Sequence, residues 1–318
     1  MRKAYKWCHD RNPLCTRRDS SLFFCVTSRA GHGRDEIMMM VAVVTATIML
    51  AHTPSPPPLD DAVLVVGATG HTGSRIYHRL KDKHVVVHAF VRNRTKARQV
   101  LGCTKCDSTE GIFIGDVTDY STLGIDVFAR TGAIVIATGP DVSCDPYPQN
   151  CTCAKGACPV EVDWHGGKNV ITAFAEAQRP LGQVVMISSD CTTYPGCSNP
   201  RAGHRDPMTD PLSGHFKLDA EAFLMSSGLP FTIIKPCGLT DDDPATATLD
   251  AFHDDEKTTS HGKIARADIA RVVEAAIRYP AVSTGLRFNL CSKAGPPTPD
   301  SGLVGVLKSA RRPWARIT

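Results

Sequence analysis

The stretch Val63-Leu-Val-Val-Gly-Ala-Thr-Gly-His-Thr-Gly73 joins a short apolar run to a turn with three glycines. The apolar run indicates a buried strand, and the residues that follow are compatible with a helix to about Lys81. Glycines at GxxGxxG spacing permit a tight turn, close approach of a pyrophosphate, and close packing of helix on strand. The helix N-terminus would turn free N–H groups and a positive dipole end toward the phosphates. The pattern therefore predicts a dinucleotide site at Gly67, Thr69, Gly70, His71, Thr72 and Gly73.

Apolar strands alternate with helical segments along the rest of the chain. The predicted strands are Val63–Val66, His84–Val91, Ile112–Ile114, Ala133–Ala137, Gln183–Ser188, Phe231–Lys235 and Arg287–Leu290. Predicted helices after the first are Thr95–Leu101, Gly167–Gln178, Phe216–Ser226 and Arg266–Ile277. This alternation is typical of βαβ units, in which right-handed crossovers cover both faces of a parallel sheet. The sequence predicts an α/β fold, a single Rossmann-type doubly wound domain with a parallel sheet.

The domain is expected to span residues 60–292, between an N-terminal extension at 1–59 and a C-terminal tail at 293–318. Within the extension, Ile37–Ala51 is apolar but too short to span a bilayer comfortably, and it resembles the apolar part of a targeting segment. Thr53–Pro58 is a proline-rich linker. The extension is either a targeting segment (plastid, mitochondrion or secretory pathway) or a disordered or mis-started one, in which case the protein is cytoplasmic.

Charge composition limits the class of partner. The chain has 36 basic and 32 acidic residues, and residues 1–36 hold 8 of the basic and 4 of the acidic ones, so the body is neutral. A neutral body argues against nucleic-acid binding, which needs a basic face. We expect a small-molecule partner, no stable membrane span in the mature chain, and a monomer or homodimer.

The end of the second predicted strand indicates which dinucleotide binds. An NAD site needs an acid there for the ribose hydroxyls, but the sequence reads Val91-Arg-Asn-Arg-Thr-Lys96. The planar fork of arginine suits a 2′-phosphate because it makes bidentate, charge-assisted hydrogen bonds. The pattern favours NADP(H) over NAD(H), with Arg92 as the main contact and Arg94 or Lys96 as secondary ones. The alternative is a solvated basic loop.

Between Ala62 and Ser292 eight short motifs follow one another: GATGHTG at 67–73, VRN at 91–93, GDVTD at 115–119, ATG at 137–139, ISS at 187–189, K-x₃-E at 217–221, SGLPFTIIKPCGLTD at 227–241 and ARADIA at 265–270. In these motifs the sequence resembles the atypical short-chain dehydrogenase/reductases. The resemblance is to the NAD(P)H-binding group that includes NmrA-like proteins and biliverdin/flavin reductase-like enzymes.

This resemblance implies roles for individual residues. Asp116 and Val117 would flank the adenine, and Ala137, Thr138 and Gly139 would lie under the nicotinamide ribose. Lys217 would hydrogen-bond the ribose, while Pro236 with Cys237 would border the nicotinamide. Ser188 and Ser189 match the position of a serine near the substrate, and with Lys217 they are the catalytic candidates. The two serines have an alternative role as strand-end caps, and no metal site is expected.

The departure from the family concerns the proton donor. Standard members carry Tyr-x₃-Lys, whereas Ser213 stands four residues before Lys217. The resemblance therefore implies NADP(H)-dependent reduction of an acceptor that needs little acid catalysis, such as a flavin-, quinone- or small carbonyl-like molecule. The alternative is a non-catalytic NADP(H)-binding redox sensor or assembly scaffold.

The chain has 13 cysteines, an unusually high number for a cytosolic enzyme of this size. Most lie in loops on the expected substrate side or in the CxxC of Cys103–Cys106. Three interpretations remain open: disulfides, a zinc site made by four cysteines within residues 144–158, or unpaired thiols. Cys144, Cys151, Cys153, Cys158, Cys191 and Cys197 are the loop cysteines.

Overall fold

The computed structural model describes residues 61–145, 151–177, 182–192, 214–253 and 262–311. The strands are β1 (Ala62–Val66), β2 (Val87–Val91), β3 (Ile112–Ile114), β4 (Thr131–Ile136), β5 (Val142–Cys144), β6 (Cys151–Cys153), β7 (Gln183–Ile187), β8 (Phe231–Pro236), β9 (Gly238–Thr240), β10 (Thr248–Phe252), β11 (Lys263–Ala265) and β12 (Leu286–Lys293). The α-helices are α1 (His71–Asp82), α2 (Arg94–Leu101), α3 (Ile125–Phe128), α4 (Gly167–Glu176), α5 (His215–Ser226), α6 (Arg266–Arg278), α7 (Pro280–Ser283) and α8 (Leu303–Ser309). A π-helix, Val160–Gly166, runs directly into α4. The predicted extension at 1–59 lies outside the described residues and stays a prediction.

The strands build one large sheet in the order β3-β2-β1-β4-β7-β8-β12-β11-β9, with β10 also paired to β12. The run from β3 to β12 is parallel throughout, while β10 and β11 lie antiparallel to β12. Strands β5 and β6 form a separate antiparallel hairpin. The mostly parallel sheet with helical crossovers confirms the predicted α/β, Rossmann-type, doubly wound class.

The strand order reverses between β1 and β4. From β1 the chain adds β2 and then β3 on one side, and it returns to place β4 on the other side of β1. In open α/β sheets, ligands bind at such a reversal, outside the carboxyl ends of the strands. The carboxyl ends of β1 and β4 are therefore the place to look for a site.

The sheet has an apolar layer on each face, as expected for a buried parallel sheet. Alternate residues of β1 supply the two layers, with Val63 and Val65 in one and Leu64 and Val66 in the other. The first layer includes residues of α1, α6 and α8, and the second includes residues of α3, α4 and α5. All five residues of β1 are buried, which explains their unbroken apolar sequence.

All predicted strands are present, but β2 is shorter than expected. The prediction began it at His84, whereas the strand begins at Val87. His84 has a left-handed backbone with a φ of 58°, and the N–H of Val85 donates to the carbonyl of Leu80. These residues terminate α1, so they cannot also extend the strand.

The C-terminal part of the chain differs from the expected tail at 293–318. Helix α8 packs in the core layer beside α6, and Leu303 and Leu307 are buried there. Just before it, the Asp300 carboxylate pairs with Arg79 at 2.6 Å and with Arg271 at 2.9 Å. This short helix was not predicted because the residues just before it are rich in proline and glycine, which is typical of a loosely held tail.

Candidate functional site

The glycine-rich turn after β1 is held by close backbone contacts. Gly67 has a φ of 84°, which favours glycine, and its N–H donates to the carbonyl of Phe90. The N–H of Gly70 donates back to the Gly67 carbonyl at 3.0 Å. A Cβ at Gly73 would lie 2.2 Å from the Gly67 carbonyl oxygen, so only glycine lets α1 pack this closely.

The N-terminus of α1 meets the requirements of an anion site. Gly70 is the N-cap and makes no side-chain cap, and the first turn carries no acid. The early N–H groups are therefore left for a ligand, and the helix dipole favours a negative one. Thr69 and Thr72 are half-buried beside this turn, and His71 is exposed. The backbone N–H groups at the start of α1, with the threonine hydroxyls beside them, fit a pyrophosphate.

The carboxyl end of β2 lies next to this turn and is basic. Phe90 pairs with Val66, so the chain leaves β2 directly beside Gly67. Arg92, Arg94 and Lys96 follow, and all three are exposed. Among the described residues, Arg92 and Lys96 have no ion-pair partner. The side chain of Asn93 accepts the N–H of Lys96 at 2.9 Å and so caps α2.

The segment after β3 is ordered by its own side chains. Asp116 Oδ1 accepts from the N–H and the hydroxyl of Thr118, both at 2.9 Å. Val117 is buried, and its carbonyl accepts from Asn169 Nδ2 at 2.9 Å. Because β3 pairs with β2, Asp116 and Val117 lie at the same edge of the sheet as the glycine turn.

The residues after β4 are adjacent to the turn on the other side of β1. The N–H of Ala137 donates to the carbonyl of Val66 at 3.0 Å, and a Cβ on Gly67 would meet the Ala137 oxygen at 3.0 Å. Thr138 is half-buried and Gly139 is exposed. The structure thus brings the predicted cofactor residues from 67–73, 92, 116–117 and 137–139 to one edge of the sheet.

Lys217 has a partner that the sequence analysis did not identify. Its Nζ lies 2.8 Å from Asp163 Oδ1 and 3.5 Å from the carbonyl oxygen of Thr138. Asp163 is on the π-helix, and its side chain is 4% exposed against 22% for that of Lys217. The π-helix was not predicted because the segment 160–166 mixes acids, Trp164 and His165 without an apolar period. Ser213 lies outside the described residues.

Ser188, at the end of β7, is part of a second buried polar group. Its hydroxyl donates to Glu221 Oε1, and Arg287 donates to Glu221 Oε2 from Nε at 2.8 Å. Ser189 does not share this contact, since its Oγ lies 3.4 Å from Asp190 Oδ1. The two adjacent serines therefore differ in their hydrogen bonding.

A small pocket lies between these two polar groups and has room for about one water molecule. Lys217, Asp163 and Ser188 line it together with apolar residues of β4 and β7. The lining comprises Ile136, Thr138, Asp163, Gly167, Met186, Ile187, Ser188, Lys217 and Ala220.

Pro236 and Cys237, which the resemblance places at the nicotinamide, lie at the end of β8. Pro236 is buried and pairs with Leu290 of β12, and Cys237 forms a disulfide with Cys291.

Cys144, Cys151, Cys153 and Cys158 are paired as disulfides. Cys144–Cys151 joins the strands of the β5–β6 hairpin, and Cys153–Cys158 closes the following turn. We call residues 142–158 the substrate-side loop. Cys103–Cys106 forms a further disulfide after α2. These pairings use the four cysteines that the zinc interpretation required, whereas Cys197 lies outside the described residues.

Comparison with known proteins gives a consistent set of matches. A family model described as NAD(P)H-binding matches residues 67–280. An uncharacterized chloroplast protein of Arabidopsis thaliana is 31% identical over 270 residues, covering 81% of this chain and 77% of its own length. Sanguinarine reductase of Eschscholzia californica is 30% identical over 259 residues, covering 73% of this chain and 89% of its own length.

A solved structure shares the fold at low sequence identity. A short-chain dehydrogenase/reductase of Veillonella parvula in complex with NADP has a TM-score of 0.54 and is 10% identical, covering 76% of this chain and 97% of its own. In the part of the chain that the structure describes, no helix is both long enough and apolar enough to span a bilayer.

Proposed function

This chain belongs to the NAD(P)H-binding family of oxidoreductases, and on that premise we propose that it is an NADP(H)-dependent reductase of the atypical short-chain type. The observation that carries the proposal is the acid-free, basic end of β2 beside the glycine turn. There Arg92 and Lys96 have no ion-pair partner among the described residues. A 2′-phosphate would supply the missing negative charge, which a ribose hydroxyl would not.

The chain's own contribution to the reaction is positional. When bound, NADPH supplies a hydride from its nicotinamide ring. The turn at Gly67–Gly73 would hold the pyrophosphate, and Lys217 would hold the ribose. Asp163 fixes the Lys217 ammonium group at the carboxyl end of β4, beside the Thr138 carbonyl. A fixed ammonium orients the sugar without a further loss of side-chain freedom on binding.

The acceptor is proposed to be a flavin-, quinone- or small carbonyl-like molecule. Ser213 stands where standard short-chain enzymes have the tyrosine acid, so an acceptor that delocalises its developing charge suits this site. The small pocket beside Lys217 has a largely apolar lining from β4 and β7. Sanguinarine reductase, one of the relatives, is by its name a reductase of a small molecule, which supports a reductase function for this chain.

One observation favours a second candidate function, a non-catalytic NADP(H)-binding sensor or scaffold. Lys217 is paired with Asp163, and Ser188 with Glu221, so two of the catalytic candidates already have polar partners. The two functions differ in turnover. Oxidation of NADPH with flavin or quinone acceptors supports the reductase, and tight binding without turnover supports the sensor or scaffold.

The cofactor preference is tested by titrating the protein with NADPH and NADH, as wild type and as Arg92→Ala. We expect Arg92→Ala to weaken NADPH binding by about 10- to 100-fold, the worth of hydrogen bonds to a charged group, and to leave NADH unchanged. Arg130→Ala is the control, since Arg130 is an exposed arginine before β4, at the opposite edge of the sheet. Equal losses for both cofactors would refute the 2′-phosphate role.

We also propose that residues 1–59 direct the protein to a plastid. The proposal is supported by the apolar run Ile37–Ala51 and by the relative from Arabidopsis, which is a chloroplast protein. Fusing residues 1–59 to a fluorescent protein tests it. Accumulation of the fusion outside plastids of plant cells would contradict it.

A further inference from the structure

Cys103 and Cys106 form a CxxC disulfide directly after α2, which the proposed function does not use. Cys103 is half-buried, whereas Cys106 is completely buried in the core layer that includes α1. A reagent in solvent therefore meets Cys103 before Cys106. Thiol–disulfide exchange depends on which sulfur can be attacked, so this difference in burial gives the bond one accessible sulfur and one protected sulfur.

The loop that contains these cysteines is held by hydrogen bonds that do not involve sulfur. The Glu110 carboxylate accepts three backbone N–H groups, at 3.2, 2.9 and 2.7 Å, from Thr104, Lys105 and Cys106 respectively. On α2, Arg98 Nη2 donates to the Thr104 carbonyl at 3.1 Å. The N–H groups, that of Cys106 first, hold the pKa of Glu110 below its usual value, so its carboxylate is charged at neutral pH.

These hydrogen bonds make the disulfide dispensable for the shape of the loop. A disulfide stabilises mainly by restricting the unfolded chain, and one that joins residues three apart restricts it little. Because Glu110 and Arg98 hold the loop without help from sulfur, the oxidised and the reduced pair fit the same backbone. In the reduced state the Cys106 thiol can donate to the Cys103 carbonyl, whose oxygen lies 3.3 Å from Cys106 Sγ.

The charge of Glu110 determines which molecule can open the bond. A Glu110 carboxylate oxygen and the two sulfurs all lie within 4.8 Å of one another. A carboxylate this close disfavours a thiolate on either cysteine, so the reduced site is a pair of neutral thiols and a poor nucleophile. The attacking thiolate must therefore come from a partner, and the protein is the side that is attacked.

We propose that Cys103–Cys106 is a reversible redox site that a partner dithiol reduces by attack on Cys103, with Glu110 as a positioning residue that holds the loop in both states. A thiolate of the partner bonds to Cys103 Sγ, the S–S bond breaks, and its electron pair goes to Cys106 Sγ, which takes a proton. The second thiol of the partner then displaces Cys103 as a thiol. Two electrons and two protons have moved to the protein, and the partner is left as a disulfide.

Dithiothreitol is the probe dithiol. Native protein is equilibrated with mixtures of reduced and oxidised dithiothreitol, alkylated, and mapped cysteine by cysteine by mass spectrometry. We expect Cys103–Cys106 to open and close reversibly while the circular dichroism spectrum stays native. Cys237–Cys291 is the internal control, since both of its cysteines are buried, and it should stay bonded. If Cys103–Cys106 opened only in urea, together with this control, the proposal would be overturned.

Two serine variants test which sulfur is attacked. Cys106→Ser leaves the half-buried Cys103 thiol, and Cys103→Ser leaves the buried Cys106 thiol. Glutathione disulfide should react with Cys103 about tenfold faster than with Cys106, because only Cys103 is accessible. Equal rates, or a faster Cys106, would refute the assignment. Should a variant fail to fold, the mixed disulfide that glutathione forms with wild type locates the attacked sulfur by mass spectrometry.

Glu110→Ala tests the positioning role by amide hydrogen exchange of residues 104–106. In wild type these amides should stay protected after reduction, and in Glu110→Ala the protection should be lost. Asp126→Ala removes an exposed carboxylate from α3, on the opposite face of the sheet, and should leave the protection unchanged. Loss of protection in reduced wild type would contradict the role of Glu110. The proposed function fails by a different readout, the absence of NADPH binding.

Discussion

Replacing Gly73 with alanine tests whether close packing of α1 on the turn forms the cofactor site. A Cβ at this position would lie 2.2 Å from the Gly67 carbonyl oxygen and 2.9 Å from its carbon. Both are backbone atoms, so no side chain can rotate to relieve the clash. The helix or the turn must move by about 1 Å to restore a normal contact distance.

The expected magnitude combines two opposing effects. Overpacking of this kind costs about 1–3 kcal/mol of the free energy of unfolding, and alanine in place of a helical glycine returns up to about 1 kcal/mol. The net loss of stability is then between about 0 and 3 kcal/mol. The larger effect falls on function, since a displacement of about 1 Å in a positioning element can cost on the order of 100-fold in turnover.

Gly305→Ala is the matched control. Gly305 lies within α8, and a Cβ there would have nothing within 4 Å. This variant should gain about 0.5–1 kcal/mol in stability and bind NADPH as wild type does. Urea unfolding and fluorescence titration with NADPH measure both quantities. If Gly73→Ala matched Gly305→Ala in stability and affinity, the packing argument for the glycine turn would be wrong.

Three further predictions concern other parts of the molecule. Asp163→Asn leaves the Lys217 ammonium without its carboxylate, so NADPH affinity should fall several-fold in titrations, and an unchanged affinity would exclude a positioning role. The hydrogen bond from Arg79 holds the pKa of Asp300 below its usual value, so its stabilising effect is present above about pH 4 and is lost as the pH falls further. Asp300→Asn should therefore be less stable than wild type in urea at pH 7, with the difference shrinking below pH 4; a constant difference would refute this. Reducing the two disulfides of the substrate-side loop should expose that loop to limited proteolysis while NADPH binding persists, and unchanged cleavage would show that they do not hold the loop.

Much of the fold could be predicted because most strands, turns and helix caps are encoded by a few consecutive residues. The Val63–Val66 strand and its glycine turn are contiguous in sequence, and so is the cap that Asn93 provides to α2. Strand β9 (Gly238–Thr240) also has three residues but lacks the apolar run of β3 (Ile112–Ile114), so its sequence does not indicate a strand. It pairs with β11, which provides the partner backbone groups.

The same distinction applies to the candidate site. The glycine turn and the basic residues that follow β2 at Arg92 are each made by consecutive residues, so the sequence indicates both. The partner of Lys217 stands 54 residues earlier in the chain, and Glu221 and Arg287 are 66 residues apart. Contacts over such separations depend on how helices pack on the sheet, and no local pattern encodes them.

Strand β12 has a consequence for how this architecture can diversify. It pairs with β8 of the parallel sheet and also with the antiparallel strands β10 and β11, so it links the parallel strands β1 to β8 to the strands that follow β8. Arg287 projects from this same strand to Glu221. Substitutions in β12 can thus change the contacts of Glu221 and Ser188 while the glycine turn after β1 keeps its sequence. The buried polar group and the proposed dinucleotide site could therefore vary independently of each other in related chains.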